Sequence, residues 1–189
     1  MLKQSHIQHK HQAGVTLIEV LVTIIILAFG LLGLAGLQAK VQLTEVESYQ
    51  RAQAIALLTD MSERISANRD QAASYVVASI GDQACAAADG TVASKDKNQW
   101  CNALRGASEK LSGKDVGAMV GARGCVTQIQ AVNAAAGVCT PGIYQVTVAW
   151  QGLHKTAAPA VACGKDAYGA DSYRRAISTR ITVGLPGCV

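Results

Sequence analysis

Aromatic side chains are scarce in this chain: its 189 residues include one Phe, two Trp and five Tyr. Charged residues make up only 16% of it, and the net charge is +4. A nucleic-acid-binding surface needs a basic stripe with aromatic side chains among its cations, and neither is present in quantity. Residues 1–14 hold Lys3 and Lys10 without an acid, so the remainder has 15 basic and 13 acidic side chains, a net +2. No nucleic-acid partner is expected. Cysteine pairs of the C-x-x-C type are missing too. The six Cys are separated by 16, 24, 14, 24 and 25 positions, which offers zinc no clamp. Only one stretch is long and apolar enough to span a bilayer, which excludes a polytopic membrane protein. Half of all residues are hydrophobic, which excludes disorder along the whole length.

The apolar residues are unevenly spread. Gly14 to Leu37 is almost entirely Val, Leu, Ile, Ala and Gly. Residues 69–189 hold 24 Ala and 14 Gly but only 29 Leu, Ile, Val, Met, Trp and Tyr together. Large buried side chains stabilise by about 1.5–3 kcal/mol each and Ala by much less, so this region has a thin core. All six Cys fall within it: Cys85, Cys101, Cys125, Cys139, Cys163 and Cys188. A thin core with an even Cys count reads as a disulfide-stapled fold in an oxidising compartment. Six reduced thiols in a cytosolic core are the alternative.

From Val20 to Leu37 the only polar side chain is Thr23. A helix over residues 15–37 would be roughly 34 Å long, enough to cross a membrane. Positive charge ahead of the span keeps the N-terminus in the cytoplasm and sends the Cys-rich part across, where disulfides form. Glu19 is out of place in a plain anchor. A carboxylate in a span costs around 2.5–3.5 kcal/mol at the bilayer centre and less near the interface, unless it finds a partner.

The stretch G-V-T-L-I-E-V at positions 14–20 resembles the prepilin signal of type IV pilins and type II secretion pseudopilins. The resemblance implies a prepilin peptidase that cuts between Gly14 and Val15 and methylates the new amine of Val15. Major pilins have Phe where this chain has Val15. Glu19 then becomes the fifth residue of the mature chain. In a bundle of parallel helices it would neutralise the Val15 amine of a neighbouring subunit, and low dielectric strengthens that pair. A Glu that merely snorkels to the interface is the bland alternative.

Past Leu37 the pattern turns amphipathic. Leu37, Val41, Ala52, Ile55, Leu58, Met61 and Ile65 recur at helical spacing, and no Pro interrupts residues 15–68. One helix of roughly 80 Å is predicted, ending at Asn68. Residues 30–38, G-L-L-G-L-A-G-L-Q, and 51–69, which contain D-M-S-E-R-I-S-A-N-R, resemble the PilV family of minor pilins. That family implies a subunit that primes pilus assembly with sister minor pilins, the major pilin and a large tip adhesin. Taken alone, Asp60 and Arg64 are an ordinary i, i+4 surface pair worth tenths of a kcal/mol. Gly30, Gly33 and Gly36 each weaken helix by ~0.8–1.0 kcal/mol relative to Ala. They either let the span stretch on assembly, as the corresponding stretch of major pilins does, or allow close helix contact.

The organisation expected is a leader at 1–14, a transmembrane and assembly helix at 15–37, an amphipathic half-helix at 38–68, and a periplasmic globular domain at 69–189. Strands are predicted over 125–132, 143–150 and 176–183, with Tyr144, Val146, Val148 and Trp150 on one face. Residues 81–121 read as a loop with one or two short helices. The fold expected is α+β, of the type IV pilin kind: a long N-terminal helix packed on a small antiparallel sheet and stapled by disulfides. Six Cys allow 15 pairings. Loop closure ranks Cys85–Cys101 first and Cys163–Cys188 second, and leaves Cys125–Cys139 by elimination. Hairpin pairing of Ile129 near Ile143 would not set that last pair opposite each other.

Catalytic constellations are hard to find. Ser94-Lys95-Asp96-Lys97 fits S-x-x-K but reads as a polar loop with no partner motif. Gly113-Lys114-Asp115 lacks the spacing and the Ser/Thr of a phosphate loop. His6, His9 and His11 lie in the leader, and nothing near His154 recommends it as a base. No enzyme activity, cofactor or metal is expected. The leading reading is a minor pilin, anchored in inner-membrane lipid by a single pass and incorporated into a surface pilus. The alternative is a pseudopilin of a type II secretion system.

Overall fold

The computed structural model describes residues 14–107, 109–115, 117, 119–135 and 137–185. The chain divides into two compact units, Met1–Leu43 and Thr44–Val189. Helix α1, Leu17–Ala67, begins in the first and continues in the second, close to the bounds expected from sequence.

In the first unit, α1 is apolar and uncovered. An 18-residue window of it has a mean hydropathy of 2.7 with none of it buried. Its large apolar side chains between Leu17 and Leu37 are 44–91% exposed, a surface suited to lipid or to other helices. Gly30, Gly33 and Gly36 lie within unbroken helix, and a Cβ at any of them would meet nothing within 4 Å.

The second unit builds the core. After α1 come a 3-10 turn at Arg69–Tyr75, strand β1 (Val77–Ile80), helix α2 (Val92–Leu104) and a two-stranded ribbon of β2 (Lys110–Leu111) and β3 (Lys114–Asp115). Strands β4 (Arg123–Gln130), β5 (Gly142–Gln151) and β6 (Arg174–Val183) follow, the last preceded by a 3-10 turn at Asp171–Tyr173. The main sheet is antiparallel in the order β1-β4-β5-β6. The three predicted strands are present, each within two residues of its expected start. This is the expected α+β arrangement of helix on antiparallel sheet, consistent with a type IV pilin fold.

Period-2 alternation sets the packing. Tyr144, Val146, Val148 and Trp150 of β5 and Val126 of β4 meet Ala54, Leu58, Met61 and Ile65 of α1 in one cluster. The helix stripe therefore runs 54, 58, 61, 65, in steps of four, three and four. Ala52 and Ile55, expected on that stripe, are off it, with Ile55 49% exposed. Leu58, Met61 and Ile65 of the expected stripe do lie in the core, and contact with the sheet sets its phase.

Residues 81–121 hold more structure than expected. Helix α2 runs for 13 residues, and Thr91 Oγ1 caps it by accepting the Ser94 N–H at 3.2 Å. Trp100 fixes α2 in place. Its indole Nε1 donates to the Leu57 carbonyl at 2.9 Å, and its ring covers Gly124 so closely that a Cβ there would sit 2.4 Å from two ring carbons. Strand β1 was not foreseen either. It is four residues long and gains its definition from pairing with β4.

The disulfides confirm one expectation and overturn two. Cys85–Cys101 is present and ties the 81–91 loop to α2. Cys125 pairs with Cys163, with Cα atoms 5.9 Å apart, and not with Cys139. Register explains this. Cys125 stands opposite Thr147, five residues inside the hairpin end at Gln130↔Ile143, and Cys139 lies beyond that end. Five strand residues cover roughly 17 Å at ~3.3 Å each, well past the ~7 Å limit for a disulfide. The β5–β6 connection folds back over the sheet face opposite α1, where Cys163 meets Cys125 and Ala149. The expected Cys163–Cys188 pair is thereby excluded. Cys139 is also disulfide-bonded, and Cys188 lies outside the described residues.

Candidate assembly site at the head of the long helix

Gly14, Val15 and Thr16 are non-helical, and α1 starts at Leu17. The start is set locally. The Thr16 carbonyl accepts the N–H groups of Glu19 and Val20 at 3.1 and 3.3 Å, and Thr16 Oγ1 accepts the Glu19 N–H at 3.3 Å. T-L-I-E over residues 16–19 thus has a capping-box pattern, with Thr16 as cap and Glu19 in the first turn. A carboxylate there faces the positive end of the helix dipole. The Thr16 cap escaped the sequence reading, although S/T-x-x-E ahead of an apolar run was the signal for it. Gly14, Val15 and Glu19 are all exposed, so the Gly14–Val15 bond is accessible in a non-helical segment. Gly30, Gly33 and Gly36 lie further along the same helix, outside this site.

The D-M-S-E-R-I-S-A-N-R stretch at residues 60–69 acts elsewhere, in the second unit. Arg64 Nε donates to both Asp60 oxygens at 2.9 and 3.0 Å, while its Nη1 reaches Asp96 and Gln99 of α2, each at 2.7 Å. Asn68 Nδ2 donates to the Tyr75 hydroxyl at 3.1 Å, and that hydroxyl donates to Asp96 at 2.5 Å. Burial, together with the bond to Asp96, pushes the Tyr75 pKa up to about 12. Asp60, Arg64 and Asn68 are therefore more than a surface pair: they form one ladder that docks α2 on α1.

Two further arginines organise the β5–β6 connection. Arg174 is 1% exposed and uses every donor it has. Its Nε and Nη2 grip Asp171 at 2.6 and 2.9 Å, Nη2 also donates to the Pro159 carbonyl at 2.9 Å, and Nη1 donates to the Cys163 and Val161 carbonyls. The bond from Arg174 holds the Asp171 carboxyl below its usual range. Arg175 Nη2 donates to Glu47 Oε1 at 3.3 Å and to the His154 carbonyl at 2.7 Å. Glu47 Oε1 also accepts the Leu153 N–H at 3.2 Å and lies 2.9 Å from His154 Nδ1. Sequence reasoning found neither Glu47 nor the grip of Arg174, because both look like ordinary charged residues.

These arrangements position backbone, and no nucleophile–base pair stands among them. Ser94 and Lys95, expected in a loop, lie in the first turn of α2, and Ser94 Oγ accepts the Asp89 N–H at 3.1 Å as part of the helix cap. Gly113 and Lys114 belong to the β2–β3 ribbon. Among the described residues no three His, Cys, Asp or Glu side chains group to hold a metal, and His6, His9 and His11 lie outside them.

The family model for the prokaryotic N-terminal methylation motif matches residues 9–35. The chain carries a prepilin-type methylation motif. The matched residues include the exposed Gly14–Val15 bond, the capped helix start and most of the uncovered apolar helix, which supports a protein of the type IV pilin and pseudopilin family. The motif implies processing by prepilin peptidase and assembly with other pilins. No curated protein and no solved structure matches the chain.

Proposed function

We propose that this chain is a minor pilin of the PilV kind, a structural subunit that helps prime type IV pili and is incorporated into them. The observation that carries the reading is the methylation motif at residues 9–35, set directly on an apolar helix whose surface is uncovered. Prepilin peptidase cuts between Gly14 and Val15 and methylates Val15. Residues 15–37 then hold the chain in the inner membrane, with the globular domain in the periplasm. In the assembled state Glu19 neutralises the Val15 amine of a neighbouring subunit, a pair that low dielectric strengthens. Gly30, Gly33 and Gly36 ease the extension of the span. Partners are sister minor pilins, the major pilin and a large tip adhesin. What supports minor pilin over pseudopilin is a resemblance in sequence, the D-M-S-E-R-I-S-A-N-R stretch at residues 60–69.

The test follows the chain in cells. Wild-type protein should be recovered in sheared pili, and Glu19→Val should insert in the membrane but be depleted from them. Absence of the wild-type chain from pili, together with a secretion defect on its deletion, would contradict the reading in favour of a pseudopilin.

A further inference from the structure

The two edges of the main sheet differ. Strand β1 closes one edge with four residues and an irregular register between Val77 and Ile80, a blunted end of the sort that resists pairing. Strand β6 forms the other edge with ten residues in unbroken register against β5, from Gly142↔Val183 to Gln151↔Arg174. It contains no Pro and no bulge.

Hydrogen-bond direction identifies which groups face outward. The Gly152 N–H donates to the Tyr173 carbonyl at 2.8 Å, continuing the β5–β6 ladder. The Gln151 N–H points the other way, to the Val120 carbonyl at 3.0 Å. Antiparallel alternation from Gly152↔Tyr173 directs the N–H and C=O groups of Ala176, Ser178, Arg180 and Thr182 away from β5. No further strand lies beyond β6 among the described residues, so these four form an open ladder. On its helix side the same strand leaves Ile177 and Ile181 half-buried at the margin of the core. On the opposite face Arg180 is exposed, and among the described residues its side chain makes a 3.4 Å contact with Gln145 Oε1. It makes no ion pair among the described residues.

The geometry points to β6 as a strand-addition site for an extended segment of another polypeptide, with apolar residues at alternate positions and a carboxylate facing Arg180. The apolar positions cover Ile177 and Ile181, the backbone completes the open ladder, and the carboxylate answers an unpaired cation. A second copy of this chain fits less well. Edge-to-edge pairing of two β6 strands places both Arg180 side chains on one face, where like charges oppose each other.

Full-length chain in detergent micelles is titrated with a fluorescent peptide of about nine residues, alternating Val and Thr with a central Glu on the Thr face. Amide exchange at Ala176, Ser178, Arg180 and Thr182 should slow on binding. A Lys in place of the Glu should weaken binding about fivefold to tenfold, and Arg180→Glu should reverse that preference. Peptide N-methylated at alternate residues should not bind. Unchanged exchange at saturating peptide, or a peptide preference that Arg180→Glu does not alter, would overturn the proposal. So would slowed exchange in the peptide-free chain, which would mean the edge is already occupied by a copy.

Discussion

Arg174→Met removes the guanidinium that grips the β5–β6 connection while keeping an unbranched apolar stem. Three carbonyl acceptors, those of Pro159, Val161 and Cys163, lose a donor at once. Cys163 is buried, and an orphaned buried acceptor costs about 1–3 kcal/mol. Pro159 and Val161 are half-buried, so water recovers part of their loss. The expected destabilisation is about 2–4 kcal/mol, below the ~3–5 kcal/mol of a fully buried broken pair. The Cys125–Cys163 bond closes 38 residues and is worth about 4 kcal/mol by loop entropy, so the connection stays attached while its conformation loosens. Urea unfolding of the full chain in detergent, followed by fluorescence of buried Trp100 and Trp150, measures the change. Replacing Cys125 and Cys163 by Ala should enlarge the cost of Arg174→Met, because both devices restrain one segment. A loss under about 1 kcal/mol in both backgrounds would refute this view of Arg174.

Tyr75 and Tyr168 should ionise near pH 12, because burial pushes both up to about 12. A pKa raised on folding gives stability that is complete below the ordinary value near 10 and lost as pH rises through the folded one, so the fold should weaken from pH ~10 to ~12. Absorbance titration checks it, and Tyr75→Phe and Tyr168→Phe should each remove one late step. Non-reducing peptide mapping should return Cys85 with Cys101 and Cys125 with Cys163, which leaves Cys139 for Cys188. Gly124→Ala should cost about 1–3 kcal/mol in chemical unfolding, since the new Cβ would meet Trp100 at 2.4 Å and Leu104 at 2.7 Å.

Local regularity was legible in the sequence, and long-range adhesion was not. An uninterrupted helical pattern predicted residues 15–68, and α1 occupies Leu17–Ala67. Alternation placed Tyr144, Val146, Val148 and Trp150 on one face, and all four lie in the core. Helix α2 was obscured because V-A-S-K-D-K-N-Q-W-C-N-A-L offers few large apolar residues. It is held by the Trp100 bond to Leu57, the Cys85–Cys101 disulfide and the Arg64–Asp96 pair, each a contact between distant parts of the chain. Beyond its first pair, Cys85–Cys101, the disulfide ranking failed for the same reason. It weighed loop lengths, while strand register sets Cys125 opposite Thr147 and beneath the returning connection. The head of α1 was readable because Gly14, Val15, Thr16 and Glu19 are neighbours in sequence as well as in space.

Processing of the N-terminus tests the central claim most directly. Intact-mass and fragment mass spectrometry of the chain extracted from membranes should give a protein that begins at Val15, with one methyl group on its α-amine. A chain that keeps residues 1–14, or one cut beyond the apolar run after Gln38, would contradict it.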